Sequence, residues 1–162
     1  MKIMSPNVRG LGSPQTRRSL KYLTKTKGPS MVLLQENMTT KEKSTKILFK
    51  ICPLWRGYAI DSQGNSGGLT AIWDPTIFQF LASSCCAGII LTRRCRDYSF
   101  IFQVMNIYAP YANRRVFWDL ITSSRILDIR PLIIAGDMNF TIVENNVWGH
   151  KAKMDSMDGY FK

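Results

Sequence analysis

Seven short apolar runs of strand length, each closed by turn residues, limit what this chain can fold into: Lys2–Val8, Met31–Gln35, Leu69–Trp73, Phe78–Ala82, Gly88–Arg93, Phe100–Tyr108 and Leu132–Ala135. So many strands exclude an all-α protein. Stretches of helical periodicity lie between some of them. Ser13-Pro14 opens Gln15–Lys25, and Thr39-Thr40 opens Lys41–Lys50. Asn113 opens Arg114–Ser124, where Val116, Phe117, Leu120 and Ile121 share one face. Helices alternate with strands early and late, and the middle reads as an antiparallel meander. The fold class is therefore α/β or α+β, with sheets covered by helices.

The 162 residues, 45% of them apolar, can bury one core of ordinary size. No internal repeat, low-complexity tract or Pro/Gly-rich linker divides them, so residues 1–162 read as one domain. Asn145–Lys162 has little periodicity and ends without a closing element, as if cut off. No stretch approaches the length needed to span a bilayer, and Met1 leads into an apolar segment without a hydrophobic signal core. The expected setting is intracellular and reducing, the nucleus included, with no membrane partner and no small-molecule cofactor. Cys52, Cys85, Cys86 and Cys95 have no C-x-x-C spacing, and the single histidine, His150, completes no ordinary zinc set with them. They read as structural thiols, the vicinal pair Cys85-Cys86 included.

Lys and Arg number 22 against 11 Asp and Glu, a net charge of +11. That excess favours a polyanionic partner, because a nucleic acid that binds it releases condensed counterions. A basic surface kept for solubility, or an organellar address, is the bland alternative.

Polar residues close four of the apolar runs. Asn7 follows Lys2–Pro6, Glu36 follows Met31–Gln35, Tyr108 follows Phe102–Ile107, and Asp137 and Asn139 follow Pro131–Ala135. Groups at the ends of several strands converge readily on one cleft. Glu36 and Asp137 supply the oxygen ligands a hard divalent cation prefers, and the amides of Asn7 and Asn139 can orient a phosphate or water without adding charge. Taken singly, each has an ordinary reading as a surface acid, a turn residue or a core ring.

Their order and local sequences resemble the endonuclease/exonuclease/phosphatase superfamily, which includes DNase I-like and abasic-site endonucleases. Ser5-Pro6-Asn7-Val8-Arg9-Gly10-Leu11 is similar to that family's first strand, Leu33-Leu34-Gln35-Glu36 to its Q-E motif, and Ser66-Gly67-Gly68-Leu69 to its central hairpin. Asn106-Ile107-Tyr108-Ala109-Pro110 and Gly136-Asp137-Met138-Asn139 resemble its Tyr-x-Pro and G-D-x-N motifs. Val8–Leu11, Ala71-Ile72-Trp73-Asp74-Pro75 and the tail from Phe140-Thr141 to Val147-Trp148-Gly149 are most similar to the endonuclease domain of plant non-LTR (LINE-type) retrotransposons.

The resemblance implies a four-layer α/β sandwich, two sheets face to face with helices outside, lacking its C-terminal strands. It implies that Glu36 holds a divalent metal, Mg2+ or Mn2+, with Asn7 close to the same site. Asp137 would orient or activate the attacking water, Asn139 place the scissile phosphate, and Tyr108 contact a phosphate or the departing oxygen. The implied chemistry is phosphodiester hydrolysis, and the implied partner is DNA, with Arg9, Arg114 and Arg115 near its backbone.

The family's C-terminal Asp-His motif does not occur in this sequence. His150, in the basic loop Gly149-His150-Lys151, reads as a surface residue. Pro6 stands where a bulky aromatic often precedes the metal-site Asn and removes one sheet N–H, and Tyr111 stands where some relatives carry Asn. Weak or absent hydrolysis by this chain alone is therefore expected. The alternatives are a non-catalytic nucleic-acid-binding remnant of a decayed retroelement and, ranked last, a phosphatase acting on inositol phosphates or sphingolipid. Arg93-Arg94-Cys95-Arg96 reads as a hairpin turn or a phosphate grip; Trp55, Trp73 and Trp118 read as core, with Trp148 left open.

Overall fold

The computed structural model describes residues 1–63, 66–94, 101–128, 131–141, 155 and 157–160. Two four-stranded mixed sheets pack face to face. The first runs β1(Ile3–Met4), β2(Met31–Gln35), β4(Ser66–Trp73), β3(Arg56–Gln63), with β1 parallel to β2 and the other pairs antiparallel. The second runs β5(Leu81–Cys85), β6(Gly88–Arg94), β7(Ile101–Tyr108), β8(Leu132–Asp137), with β7 and β8 parallel.

Strand alternation divides the apolar residues into three layers. Met31, Leu33, Leu69, Ala71 and Trp73 of the first sheet meet Ile89, Leu91 and Val104 of the second. Val32, Leu34 and Ile72 face the other way, onto Leu20 of α1(Pro14–Lys27) and Ile47 and Leu48 of α2(Lys41–Ile51). Met105 and Ile107 face outward from the second sheet onto Trp118 and Ile121 of α3(Arg114–Ser123). The layer order is helices, sheet, sheet, helix, the expected four-layer α/β sandwich. Among the described residues no helix is long and apolar enough to cross a membrane.

Two expected strands differ in position, and one strand is new. The run Lys2–Val8 is regular strand only at Ile3–Met4. Pro6 cannot donate, so the ladder there is carried by its carbonyl, which accepts from Gln35 N (3.2 Å), and by Val8 N, which donates to Gln35 O (3.0 Å). The strand expected at Phe78–Ala82 lies at Leu81–Cys85. Asp74 Oδ1 accepts from Thr76 N (2.9 Å) and Oγ1 (2.6 Å), holding a turn after β4. Phe78 and Phe80 then enter the core from a loop, against Trp73 and Phe102. β3, whose Tyr58 and Ile60 pack into the inter-sheet core, was not anticipated.

Helices α1 and α2 begin where their caps predict. Ser13 Oγ accepts from Gln15 N (3.2 Å), Thr40 Oγ1 accepts from Lys43 N (3.3 Å), and left-handed Gly28 ends α1. Asn113 differs: it precedes α3 with φ 56° and makes no side-chain cap bond. Cys52 is buried, Cys85 half-buried and Cys86 exposed, all as free thiols.

Candidate active site

The inward-facing positions of three strands change character at the same end of the sandwich. On β2 the series is Met31, Leu33, Gln35, and on β7 it is Val104, Asn106, Tyr108. On β8 it is Ile133, Ala135, Asp137. Since β7 and β8 are parallel and Tyr108 pairs with Asp137, both strands end side by side. Glu36 directly follows β2 across the interface, and Asn7 reaches the same edge through its parallel bridge to Gln35.

Asn7 joins the two sheets. Its Nδ2 donates to Glu36 Oε1 (2.9 Å) and to Asp137 Oδ2 (2.8 Å), so one amide group spans two carboxylates 101 residues apart in sequence. Its Oδ1 is turned away and accepts from Arg9 N (3.2 Å). Asp137 Oδ1 accepts in addition from Asn139 N (3.1 Å). Asn139 Nδ2 donates to the carbonyl of Ala109, which ties the end of β8 to the end of β7. The Tyr108 hydroxyl is pushed up to about 12, first by burial, then by its hydrogen bond to Glu36 and the charges of Glu36 and Asp137. It is a neutral donor at any physiological pH.

Four residues around this edge hold backbone conformations that L side chains seldom adopt: Arg9 (φ 44°), Glu36 (φ 52°), Met38 (φ 49°) and Asn139 (φ 49°). Each costs on the order of 1 kcal/mol, and strain of this kind gathers where surrounding structure holds groups in place. Gly136 is required for a different reason. At φ 140° a Cβ there would collide with the carbonyl of Ile107.

Beneath the edge lies a buried polar network that sequence reading did not single out. Gln35 Nε2 donates to Asn106 Oδ1 (2.6 Å), Leu33 O (3.0 Å) and Ser5 Oγ (3.1 Å). Asn106 Nδ2 donates to Leu34 O (3.1 Å) and Thr70 O (3.2 Å). On the helix side, Asn37 Nδ2 donates to Thr70 Oγ1 (2.8 Å), which donates to Ser44 Oγ on α2 (3.2 Å). These amides fix the strand ends that carry Glu36 and Tyr108. For Gln35 and Asn106 the available signal was position: each continues an inward series otherwise apolar.

The basic residues expected near a substrate divide. Arg114 Nη1 donates to Asn139 O (2.5 Å) and pairs with Asp155 Oδ2 (2.8 Å), so it braces the loop after β8. The Asp155 carboxyl is held below its ordinary value by that Arg114 hydrogen bond. Arg115 and Arg9 are exposed. Arg114, Asp137 and Asn139 border a cleft of about 840 Å³, with the ring of Tyr111, 87% exposed, at its rim. His150, Trp148, Cys95 and Arg96 lie outside the described residues; Trp73 and Trp118 are core, and Trp55 is partly buried beside the α1–α2 layer.

Glu36 and Asp137 have no ion-pair partner among the described residues, although each lies within 3 Å of the same amide nitrogen. Two close, unneutralised carboxylates suit a hard cation. No group of three or more acidic, His or Cys side chains converges there among the described residues. A cation at this edge would have few protein ligands and keep much of its water, as magnesium does.

No protein-family model and no curated protein matches this sequence. Solved structures do match in shape. The Xenopus laevis APE2 catalytic domain superposes with a TM-score of 0.66 at 18% identity, over 99% of this chain and 64% of that one. The AP endonuclease LMAP from Leishmania major gives 0.67 at 12% identity, over 93% and 58%. An endonuclease/exonuclease/phosphatase from Bacteroides vulgatus gives 0.66 at 16% identity, over 89% and 67%. The chain thus spans about two thirds or less of their lengths, and the shared architecture is the DNase I-like sandwich.

Proposed function

We propose that this chain is a phosphodiester hydrolase domain of the DNA endonuclease type, in the endonuclease/exonuclease/phosphatase superfamily and related to LINE-type retrotransposon endonucleases. The observation that carries the reading is the Asn7 amide bound to both Glu36 and Asp137, which unites three separate sequence motifs at one strand-end edge. The Val8–Leu11 and Ala71–Pro75 segments support the retrotransposon relation.

In this reading Glu36, with Asp137 beside it, holds Mg2+ or Mn2+, and Asn7 sets the spacing of the two carboxylates. A divalent cation held there would supply charge stabilisation at the phosphoryl group. Asp137, fixed by Asn7 and the Asn139 amide, accepts a proton from the attacking water. Tyr108, kept protonated, donates to a phosphate or leaving oxygen. Asn139 acts first as a brace between β7 and β8, since its side-chain donor is already engaged. Arg9 and Arg115 meet the DNA backbone, Arg114 contributes from the cleft wall, and Tyr111 offers a ring on which a base can stack.

These 162 residues carry no Asp-His motif to contact the scissile phosphate, so we propose that hydrolysis by them alone is weak. The net charge of +11 favours a second reading, a nucleic-acid-binding module without hydrolysis. Plasmid nicking with Mg2+ and with EDTA, run beside Glu36→Gln, separates the two. Metal-dependent nicking lost in the variant supports the hydrolase; no nicking with DNA retained in a gel shift supports the binding module.

A further inference from the structure

Away from the strand-end edge, the outer face of the first sheet carries a second concentration of charge. Arg17, Arg18 and Lys21 of α1 and Lys43, Lys46 and Lys50 of α2 line one groove of about 390 Å³, with no acidic side chain among its lining. Ile47 and Ile51 supply its apolar surface. The two ion pairs found among the described residues, Arg114–Asp155 and Arg125–Asp128, lie elsewhere. Arg17 and Lys21, and Lys46 and Lys50, stand at i,i+4, where like charges weaken a helix, and α1 contains no acidic residue to relieve them.

We propose that the α1–α2 groove is a second nucleic-acid site, which holds a phosphodiester strand apart from the Glu36–Asp137 edge; the choice of ligand rests on the hydrolase reading above. Cations on two helices border a trough, so a strand laid between them meets charge from both sides and sets its sugars against the half-buried Ile51. A flat lipid surface would meet fewer of them. Lys46 and Lys50 are separated by about 6 Å of helix rise, which lets neighbouring phosphates be met in turn. The trough also leads from the site. Both helices start just beyond loops joined at the edge, where Gly10 N donates to Glu36 O (2.8 Å) and Leu11 N to Asn37 O (2.9 Å). A long substrate entering at Asn7 and Arg9 is thereby continued along α1 and α2. Arg17 also donates to Gly12 O (3.1 Å), so it helps hold the helix start and is left intact in the test.

The test is fluorescence anisotropy of the full chain with labelled single-stranded DNA, duplex DNA and RNA, without divalent metal, across a salt series. Lys21→Gln/Lys46→Gln/Lys50→Gln is compared with the charge-matched Lys2→Gln/Arg56→Gln/Arg125→Gln, none of which lies on α1 or α2 or lines the groove. The groove variant is expected to lose about tenfold or more in affinity at low salt, and its log affinity against log salt to flatten by about 2, from 0.7–0.9 per phosphate lost. The other variant should lose less than about threefold, and the oligonucleotide with the largest difference identifies the strand. Equal losses in the two variants would overturn the groove site, as would a loss seen with phosphatidylserine vesicles and with no oligonucleotide. Glu36→Gln, measured alongside, keeps groove binding whether or not nicking survives, so failure of the hydrolase reading is seen separately.

Discussion

The layer between the two sheets has two ends built from the same strands. At one end Met31, Leu33, Val104 and Ile133 interlock with Trp73, Phe78 and Phe80. At the other, the same faces of the same strands carry Gln35, Asn106, Tyr108 and Asp137. Backbone alternation aims both sets inward; side-chain chemistry alone makes one end a core and the other a site. Four of the six non-glycine residues with positive φ among the described residues, Glu36, Asn139, Arg9 and Met38, border the polar end, where geometry is held against its local preference; Asn113 and Arg125 flank α3.

Substitutions can break this contrast. At the apolar end, Leu33→Ala empties a fully buried position and should cost about 3–5 kcal/mol in urea unfolding. A loss below about 1 kcal/mol would mean the inter-sheet core is not packed as described. In the buried network, Asn106→Ala takes the side-chain donor from the carbonyls of Leu34 and Thr70 and one of three acceptors from the Gln35 amide, with an expected cost of about 2–3 kcal/mol. It should lower nicking as well, because the strand ends above it lose their support. Unchanged stability would show that the network is not intact in solution.

Asn7→Ala sharpens the comparison from the functional side. It removes the shared donor of Glu36 and Asp137, so Mg2+-dependent nicking should fall by about tenfold or more, while stability changes by about 1 kcal/mol. An equal fall in stability and activity would make Asn7 a fold residue. The smallest effect belongs to Asp155. Its carboxyl is depressed below 3.8 by Arg114, so its contribution is present above the unfolded value and is lost as pH falls through the folded one. Asp155→Asn should cost less than about 1 kcal/mol at neutral pH and nothing once both forms are protonated. A penalty that persists in acid would assign the effect to packing.

Much of the site was legible because its residues close apolar runs. A strand's end is marked in sequence by the change to polar residues, and Asn7, Glu36, Tyr108 and Asp137 all stand there. Less legible were features that depend on which face a residue takes. Gln35 and Asn106 stand inside motifs, yet only the period through Leu33 and Val104 assigns them to the buried layer. Phe78 and Phe80 suggested a strand, yet they reach the core from a loop because the Asp74 turn intervenes. Arg114 suggested a phosphate contact by its place at a helix start, and its partner Asp155 lies too far along the chain to be paired from sequence.

We propose above that Glu36, beside Asp137, holds a divalent cation rather than serving only as a structural partner of Asn7. Thermal unfolding of the wild-type chain and Glu36→Gln, each with and without millimolar Mg2+, tests it independently of catalysis. Mg2+ should raise the wild-type Tm by about 3 °C or more, as a ligand specific to the folded state must. Glu36→Gln, relieved of carboxylate repulsion, should unfold no earlier than wild type without Mg2+ and show no shift with it. Equal shifts in both chains, or none in either, would contradict the cation site.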